Sequence, residues 1–155
     1  MDAPGGAMLA QWRRMKRLPF GTQLFAIALA QMVPYSGSVG ARVIELEPGL
    51  ARLEMRDRRA LRNHLGSIHA IALANLGELA SGLAMSAALP QGVRAIVTGL
   101  EIEYLKKARG RITAESRVTL PPITGDLEHR VQAELRDAAG DPVARVTARW
   151  RLRPA

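Results

Sequence analysis

Residues 69–89 read HAIALANLGELASGLAMSAAL. The run is long, apolar and free of proline until Pro90, so one helix from about His69 to Leu89 is predicted. Its small residues are not confined to one stripe: Ala70, Ala72, Ala74, Gly77, Ala80, Ser81, Gly82 and Ala84 are spread around the axis. A helix that is apolar all round is a buried one, and short side chains let other elements approach its axis closely. A helix enclosed by a sheet needs both properties. The stretch is not a clean membrane span, because Ile71 to Leu89 includes Asn75, Glu78, Ser81 and two glycines.

The flanking sequence supplies the sheet. Upstream, Val39 to Glu47 alternates imperfectly and meets the turn Pro48-Gly49. Leu50 to Asp57 then alternates cleanly, with Ala51, Leu53 and Met55 opposite Arg52, Glu54 and Arg56, so the two read as a hairpin. Downstream of Pro90-Gln91-Gly92 the chain reads as strands to its end: Arg94–Ala108, Arg111–Leu120, Leu127–Asp137, and a last strand with Ala144, Val146, Ala148, Trp150 and Leu152 on one face. A turn at Arg109-Gly110 is expected to join the first two of these. Strict period-two patterning implies antiparallel strands with one wet face. Residues 7–31 read as helical, and Pro34 ends that section.

The N-terminal stretch has a second reading. Arg13, Arg14, Lys16 and Arg17 precede an apolar run from Phe20 to Ala30 that closes on Ala28-Leu29-Ala30, the layout of a secretory signal. Pro19, Gly21, Thr22 and Gln23 interrupt that run. The same residues read as an amphipathic helix pair split at Pro19-Phe20-Gly21, and that is the reading taken.

Composition bounds the chemistry. The 155 residues include no cysteine, which excludes disulfides, thiolate metal sites and cysteine nucleophiles. This fits a reducing compartment, and a cytoplasmic location is expected. The net charge of +8 is carried mostly by arginine, with lysine only at 16, 106 and 107. Such a surface is either a solvated face or an attraction for a phosphate-bearing partner. With aromatics at 4%, the stacking residues of a nucleic-acid binder are missing, and neither nucleic acid nor membrane is expected as a partner. Walker, G-x-G-x-x-G, G-x-S-x-G and zinc patterns do not occur, and no metal site is expected.

The stretch that can carry chemistry is Asn63-His64-Leu65-Gly66-Ser67-Ile68-His69-Ala70, with Glu78 nine residues beyond His69. A glycine-containing loop delivers a histidine to the start of the helix, where unpaired backbone N–H groups can polarise a carbonyl. A carboxylate on so apolar a helix is costly unless wet, paired or functional. On spacing alone, Glu78 could belong to a solvated stripe with Asn75 and Ser81, and His69 could be a plain helix-start residue. His129 alternates with the inward set Leu127 and Val131 and reads as a packed or interfacial histidine.

These motifs resemble those of hotdog-fold thioesterases of the phenylacetate-pathway and human thioesterase-superfamily type. More closely, the chain is similar to a DUF4442-like hotdog group marked by Asn63-His64-x-Gly66-x-x-His69-Ala70, Glu78-Leu79-Ala80 and Glu103-Tyr104-Leu105-Lys106-Lys107-Ala108-Arg109-Gly110. The resemblance implies an α+β hotdog fold, with an antiparallel six-stranded sheet wrapped around one long central helix. It implies one domain over 1–155, comprising an N-terminal helical segment (1–34) and a hotdog core (35–155). Asn63, Gly66, His69 and Glu78 match the thioesterase pattern. It implies Glu78 as nucleophile or general base, the N–H of Ala70 as the group polarising a thioester carbonyl, and Asn63 orienting water or the carboxylate across a subunit boundary. Where the characterised enzymes have Gly-Gly after the histidine, this chain has Ala70-Ile71, which keeps the N–H and adds two side chains. The function implied is hydrolysis of acyl-CoA-type thioesters by a homodimer or homotetramer. CoA enters only as part of the substrate, and no separate cofactor is expected. The alternative is a non-catalytic acyl-CoA or acyl-carrier binding module. The basic cluster Lys106, Lys107, Arg109 and Arg111 would then hold CoA phosphates, or would be a solubilising hairpin tip.

Overall fold

The computed structural model describes residues 4–155, so residues 1–3 of the N-terminal segment lie outside the described residues. Helices α1 (Pro4–Met15), α2 (Gly21–Met32) and the short α3 (Pro34–Gly37) precede the hairpin β1 (Arg42–Glu47) and β2 (Leu50–Met55). A 3-10 turn (Arg59–Leu61) leads into α4 (Ala70–Ala88). Four strands follow: β3 (Val93–Tyr104), β4 (Ile112–Arg117), β5 (Leu127–Arg136) and β6 (Pro142–Pro154). They form one six-stranded antiparallel sheet in the order β1-β2-β4-β5-β6-β3. This is the α+β hotdog architecture, with α4 laid on the concave face of the sheet.

The small residues of α4 do what their distribution predicts. Ala80 and Ala84 are fully buried. Gly77 lies so close to β6 that a Cβ there would overlap the Val146 methyl groups. Ala114, Ala133, Ala144 and Ala148 answer from the sheet, each with no exposure. The helix is long and apolar enough to cross a membrane, but 72% of it is covered by the rest of the fold, as befits a core helix. Gly77→Val forces a branched side chain into Val146 and should destabilise the fold by about 3 kcal/mol, the scale of overpacking a tight interior. Chemical denaturation of the two proteins measures the difference; equal midpoints would contradict the packing described.

The N-terminal segment is the helix pair split at Phe20. Trp12 of α1 and Phe25 of α2 meet edge to face, with ring centroids 5.1 Å apart, and both join the main core together with Leu29. Phe20 takes a left-handed backbone conformation (φ 58°), which makes the sharp corner between the helices.

The connection after β3 differs from the sequence expectation. Arg109-Gly110 is not a hairpin tip, because β3 pairs with β6 and β4 pairs with β2 and β5. Residues 105–111 therefore cross from the β3 edge to the sheet centre. They pass over the loop that leads into α4, where the N–H of Ile68 donates to the carbonyl of Ala108 (2.8 Å). Strand β3 ends at Tyr104 rather than at Ala108. It is an edge strand of 12 residues, and its outer backbone groups have no sheet partner among the described residues.

Candidate active site

The loop before α4 is built by Asn63. Its side-chain oxygen accepts from the N–H of Leu65 (2.9 Å), the N–H of Ser67 (3.3 Å) and the hydroxyl of Ser67 (3.2 Å). The backbone N–H of Asn63 donates to the carbonyl of Ser67 (2.8 Å), and Gly66 closes the turn with φ 66°. A side chain is disfavoured in that left-handed region, so the Asn-x-x-Gly spacing has a conformational cause. The oxygen of Asn63 is thus engaged in the loop.

His69 is the N-cap of α4. Its Nδ1 accepts from the N–H of Ile71 (3.1 Å), and its carbonyl accepts from Ala72 and Leu73 (3.0 and 3.2 Å). Of the first N–H groups of the helix, that of Ala70 alone has no acceptor among the described residues. The histidine therefore selects which N–H stays free. Tyr104 from β3 donates its hydroxyl to the carbonyl of Ala70 (3.0 Å), in the next peptide, whose N–H on Ile71 is the one held by His69. That contact was not legible in the sequence, where Tyr104 shows only as one residue of an alternating face.

Glu78 lies two turns further along. It is half-buried, and its carboxylate has no hydrogen bond or ion pair among the described residues. Burial without compensation raises its pKa above the ordinary carboxylate value. The expected solvated stripe does not exist: Ser81 is fully buried and donates to the carbonyl of Glu78 (2.8 Å). Asn75 is also buried, with its amide nitrogen on the carbonyl of Tyr35 (3.3 Å). Glu78 is left as the one ionisable group on the helix.

The seven-residue step from Ile71 to Glu78 places both on one face of α4. The helix-side face of β3 carries Val97, Leu100 and Tyr104, set by the pairing of these residues with the inward Trp150, Ala148 and Ala144 of β6. Ile71, Leu100 and Tyr104 are 53%, 44% and 48% exposed. Exposed apolar side chains therefore lie on the face of α4 that carries the uncompensated carboxylate and on the helix side of β3.

The four basic residues of the crossover do not act alike. Lys106 is held by Asp137 and Asp141 (both 2.7 Å), and Arg111 by Glu54 (3.5 Å). Arg109 reaches the carbonyl of Leu65 (3.5 Å) in the loop before α4. Lys107 makes no ion pair among the described residues. His64 is exposed on the same loop and His129 half-buried on β5. No cluster of three or more His, Asp or Glu side chains suited to a metal occurs among the described residues.

A hotdog sheet with a capped helix N-terminus and a half-buried glutamate two turns on defines a protein of the thioesterase-like class. The chain belongs to the family described as Domain of unknown function (DUF4442), whose model matches residues 21–152. No curated protein matches the sequence. Among solved structures, the structural-genomics protein APC5556 is 30% identical, with a TM-score of 0.83 over 96% of this chain and 99% of its own. A Pseudomonas aeruginosa protein of unknown function, PA5026, described as a probable thioesterase, is 28% identical, with a TM-score of 0.77 over 89% and 97% of the two chains. A thioesterase family protein from Silicibacter pomeroyi shares the fold at 23% identity, with a TM-score of 0.69 over 84% and 96%.

Proposed function

We propose that this protein hydrolyses acyl-CoA-type thioesters, with Glu78 as nucleophile or general base, in a site completed by a second copy of the chain. The observation that carries this reading is the lone, half-buried Glu78 on a helix face that also bears an exposed apolar side chain. An ionised carboxylate held there without a partner is a poorly solvated and hence reactive base or nucleophile. The free N–H of Ala70 supplies the other half of thioester chemistry, a donor for the oxygen that becomes negative during attack.

Helix geometry argues that the two halves come from different chains. Ala70 and Glu78 are eight residues apart, about 12 Å of helix rise. Helical N–H groups point towards the N-terminus, so that of Ala70 aims away from Glu78 in the same chain. One carbonyl cannot be bracketed by both. A two-fold pairing that joins β3 to its copy would place the helix N-terminus of one chain near Glu78 of the other, and would cover an otherwise open edge strand. The exposed row of Ile71, Leu100 and Tyr104 supports such a contact. In this arrangement Asn63 acts across the boundary through its amide nitrogen, while Gly66 and His69 position the loop and the helix start. A non-catalytic acyl-CoA or acyl-carrier binding module is the second reading, favoured by the exposed Ile71 side chain on the face of Glu78. Steady-state hydrolysis of short, long and aryl acyl-CoAs separates the two. Turnover of at least one class is expected, whereas saturable binding with no hydrolysis would contradict the enzymatic reading.

For the CoA phosphates, the ion pairs of Lys106 and Arg111 leave Lys107 and Arg109 as the available cations. Charge reversal at both should raise KM for an acyl-CoA severalfold and leave a truncated thioester lacking the nucleotide nearly unaffected, since Glu78 is untouched. If KM changes equally for both substrates, or for neither, the crossover is not the phosphate site.

A further inference from the structure

Exposed apolar side chains crowd one part of the molecule. Of the fourteen large ones exposed among the described residues, seven fall between Leu18 and Tyr35. Scattered apolar residues need no explanation, but a clustered set marks a contact surface. Phe20 is its most exposed member, at 76%. It is also the single non-glycine residue with a positive φ (58°) among the described residues. An aromatic side chain there gains little from burial and takes a conformation that glycine adopts freely. Leu24 and Ile27 follow at helical spacing, on the side of α2 away from the buried Gly21, Phe25 and Leu29. Leu18 stands exposed at the same corner. Basic residues flank this stripe. From Pro4 to Ile44 the chain has no Asp or Glu, but it has Arg13, Arg14, Lys16, Arg17 and Arg42. Glu47 engages Arg13 (3.1 Å) and Lys16 (3.6 Å), whereas Arg14 and Arg17 are exposed with no ion pair among the described residues. Further along α2, Ile27 shares a hollow with Arg42 and Arg56. Arg42 is held by Glu54 (3.2 Å), and Arg56 is exposed with no ion pair among the described residues.

We infer that this corner docks the protein on an anionic lipid surface, with Leu18, Phe20, Leu24 and Ile27 entering the bilayer interface and Arg14, Arg17 and Arg56 meeting headgroup phosphates. An apolar helix face flanked by cations is the composition of an interfacial membrane contact. Helix α2 has 12 residues, too few to span a bilayer, so it lies on the surface. A second copy of the chain is the poorer occupant. A two-fold contact sets the same patch against itself and would face Arg14 and Arg17 with their own copies. The dimer proposed above pairs β3, whereas α2 packs on β1, the opposite edge of the sheet. The inference does not depend on the thioester reading. It departs from the expectation of no membrane partner, because composition shows neither which apolar side chains the fold leaves exposed nor the corner that holds them.

The test is co-flotation with vesicles of phosphatidylcholine alone or of phosphatidylcholine and phosphatidylserine in about a 2:1 ratio. The wild-type protein should bind the mixed vesicles about tenfold or more tightly than the neutral ones, and less tightly as salt rises. Phe20→Gly should weaken that binding about tenfold, because the burial of one aromatic ring is lost. Its melting temperature should hold, because glycine suits the left-handed φ. Arg14→Glu combined with Arg17→Glu should weaken binding about tenfold or more. Lys107→Glu combined with Arg109→Glu, an equal change of net charge on the crossover, should leave it intact. Equal binding to the two kinds of vesicle, undiminished binding by Phe20→Gly, or equal losses in the two charge variants would each overturn the inference. A melting temperature that falls in Phe20→Gly would assign the ring to the fold and overturn it as well. So would a change of oligomeric state in Phe20→Gly, read by light scattering, since a second copy would then be the occupant.

Discussion

Glu78→Gln is expected to lower kcat for thioester hydrolysis by about a thousandfold while the protein folds as before. The substitution keeps size and hydrogen-bonding capacity, but an amide is neither base nor nucleophile, and losses of this order are usual for such a group. Because burial raises the Glu78 pKa, the wild-type rate should fall on the acid side with a midpoint above the ordinary carboxylate value of 4.5, as the required anion takes up a proton. The same shift has a stability consequence of opposite sense. A carboxyl whose folded-state pKa is raised favours the folded state in its protonated form. It costs stability as pH rises from the unfolded pKa through the folded one. Glu78→Gln should therefore melt at a higher temperature than the wild type at neutral pH, and the advantage should shrink as pH falls towards 4. A variant that is both inactive and less stable at neutral pH would mean that Glu78 holds the fold together rather than the reaction.

Ala70→Pro should cost a hundredfold or more in kcat with little effect on stability. Proline is well tolerated at the first residue of a helix, where no intrahelical bond is lost. The residue before it already suits a proline, since His69 has φ −63° and ψ 140°. What the change removes is the one unpaired N–H of the helix start, and loss of a single donor to a developing oxyanion costs about a hundred- to a thousandfold. Retained activity in a folded Ala70→Pro protein would exclude this N–H from the chemistry.

Much of this arrangement was legible from residues 63–89. The all-round small residues predicted a helix that the sheet could approach closely, and Gly77 against Val146 is that approach. The period-two patterns gave each strand its inward face, so Val146, Ala148 and Trp150 lie where alternation put them. Asn63 and Gly66 marked a tight turn through local conformational preference, which sequence carries directly. Long-range pairing is not carried that way. Nothing in residues 93–117 says that β3 leaves its successor and pairs with β6 on the far edge, so the crossover read as a hairpin. The pairing of Lys106 with Asp137 and Asp141 was hidden for the same reason, since it is made only through the fold. Asn75 and Ser81 looked solvated because polarity was visible and burial was not. The approach of Gly82 to the Trp150 indole, 3.5 Å from where a Cβ would sit, has no local signal at all.

The claim that one site is built from two chains is tested most directly by mixing two inactive proteins. Glu78→Gln and Ala70→Pro chains, co-refolded in equal amounts, should form mixed dimers for about half the population, as random pairing of a symmetric dimer requires. In each mixed dimer, the Glu78 of the Ala70→Pro chain faces the intact Ala70 of the Glu78→Gln chain, making one complete site and one doubly defective one. Hydrolysis should therefore return to about a quarter of the wild-type rate. If the carboxylate and the helix N–H instead served one thioester from within a single chain, the mixture would remain as inactive as its parents, and that result would contradict the account.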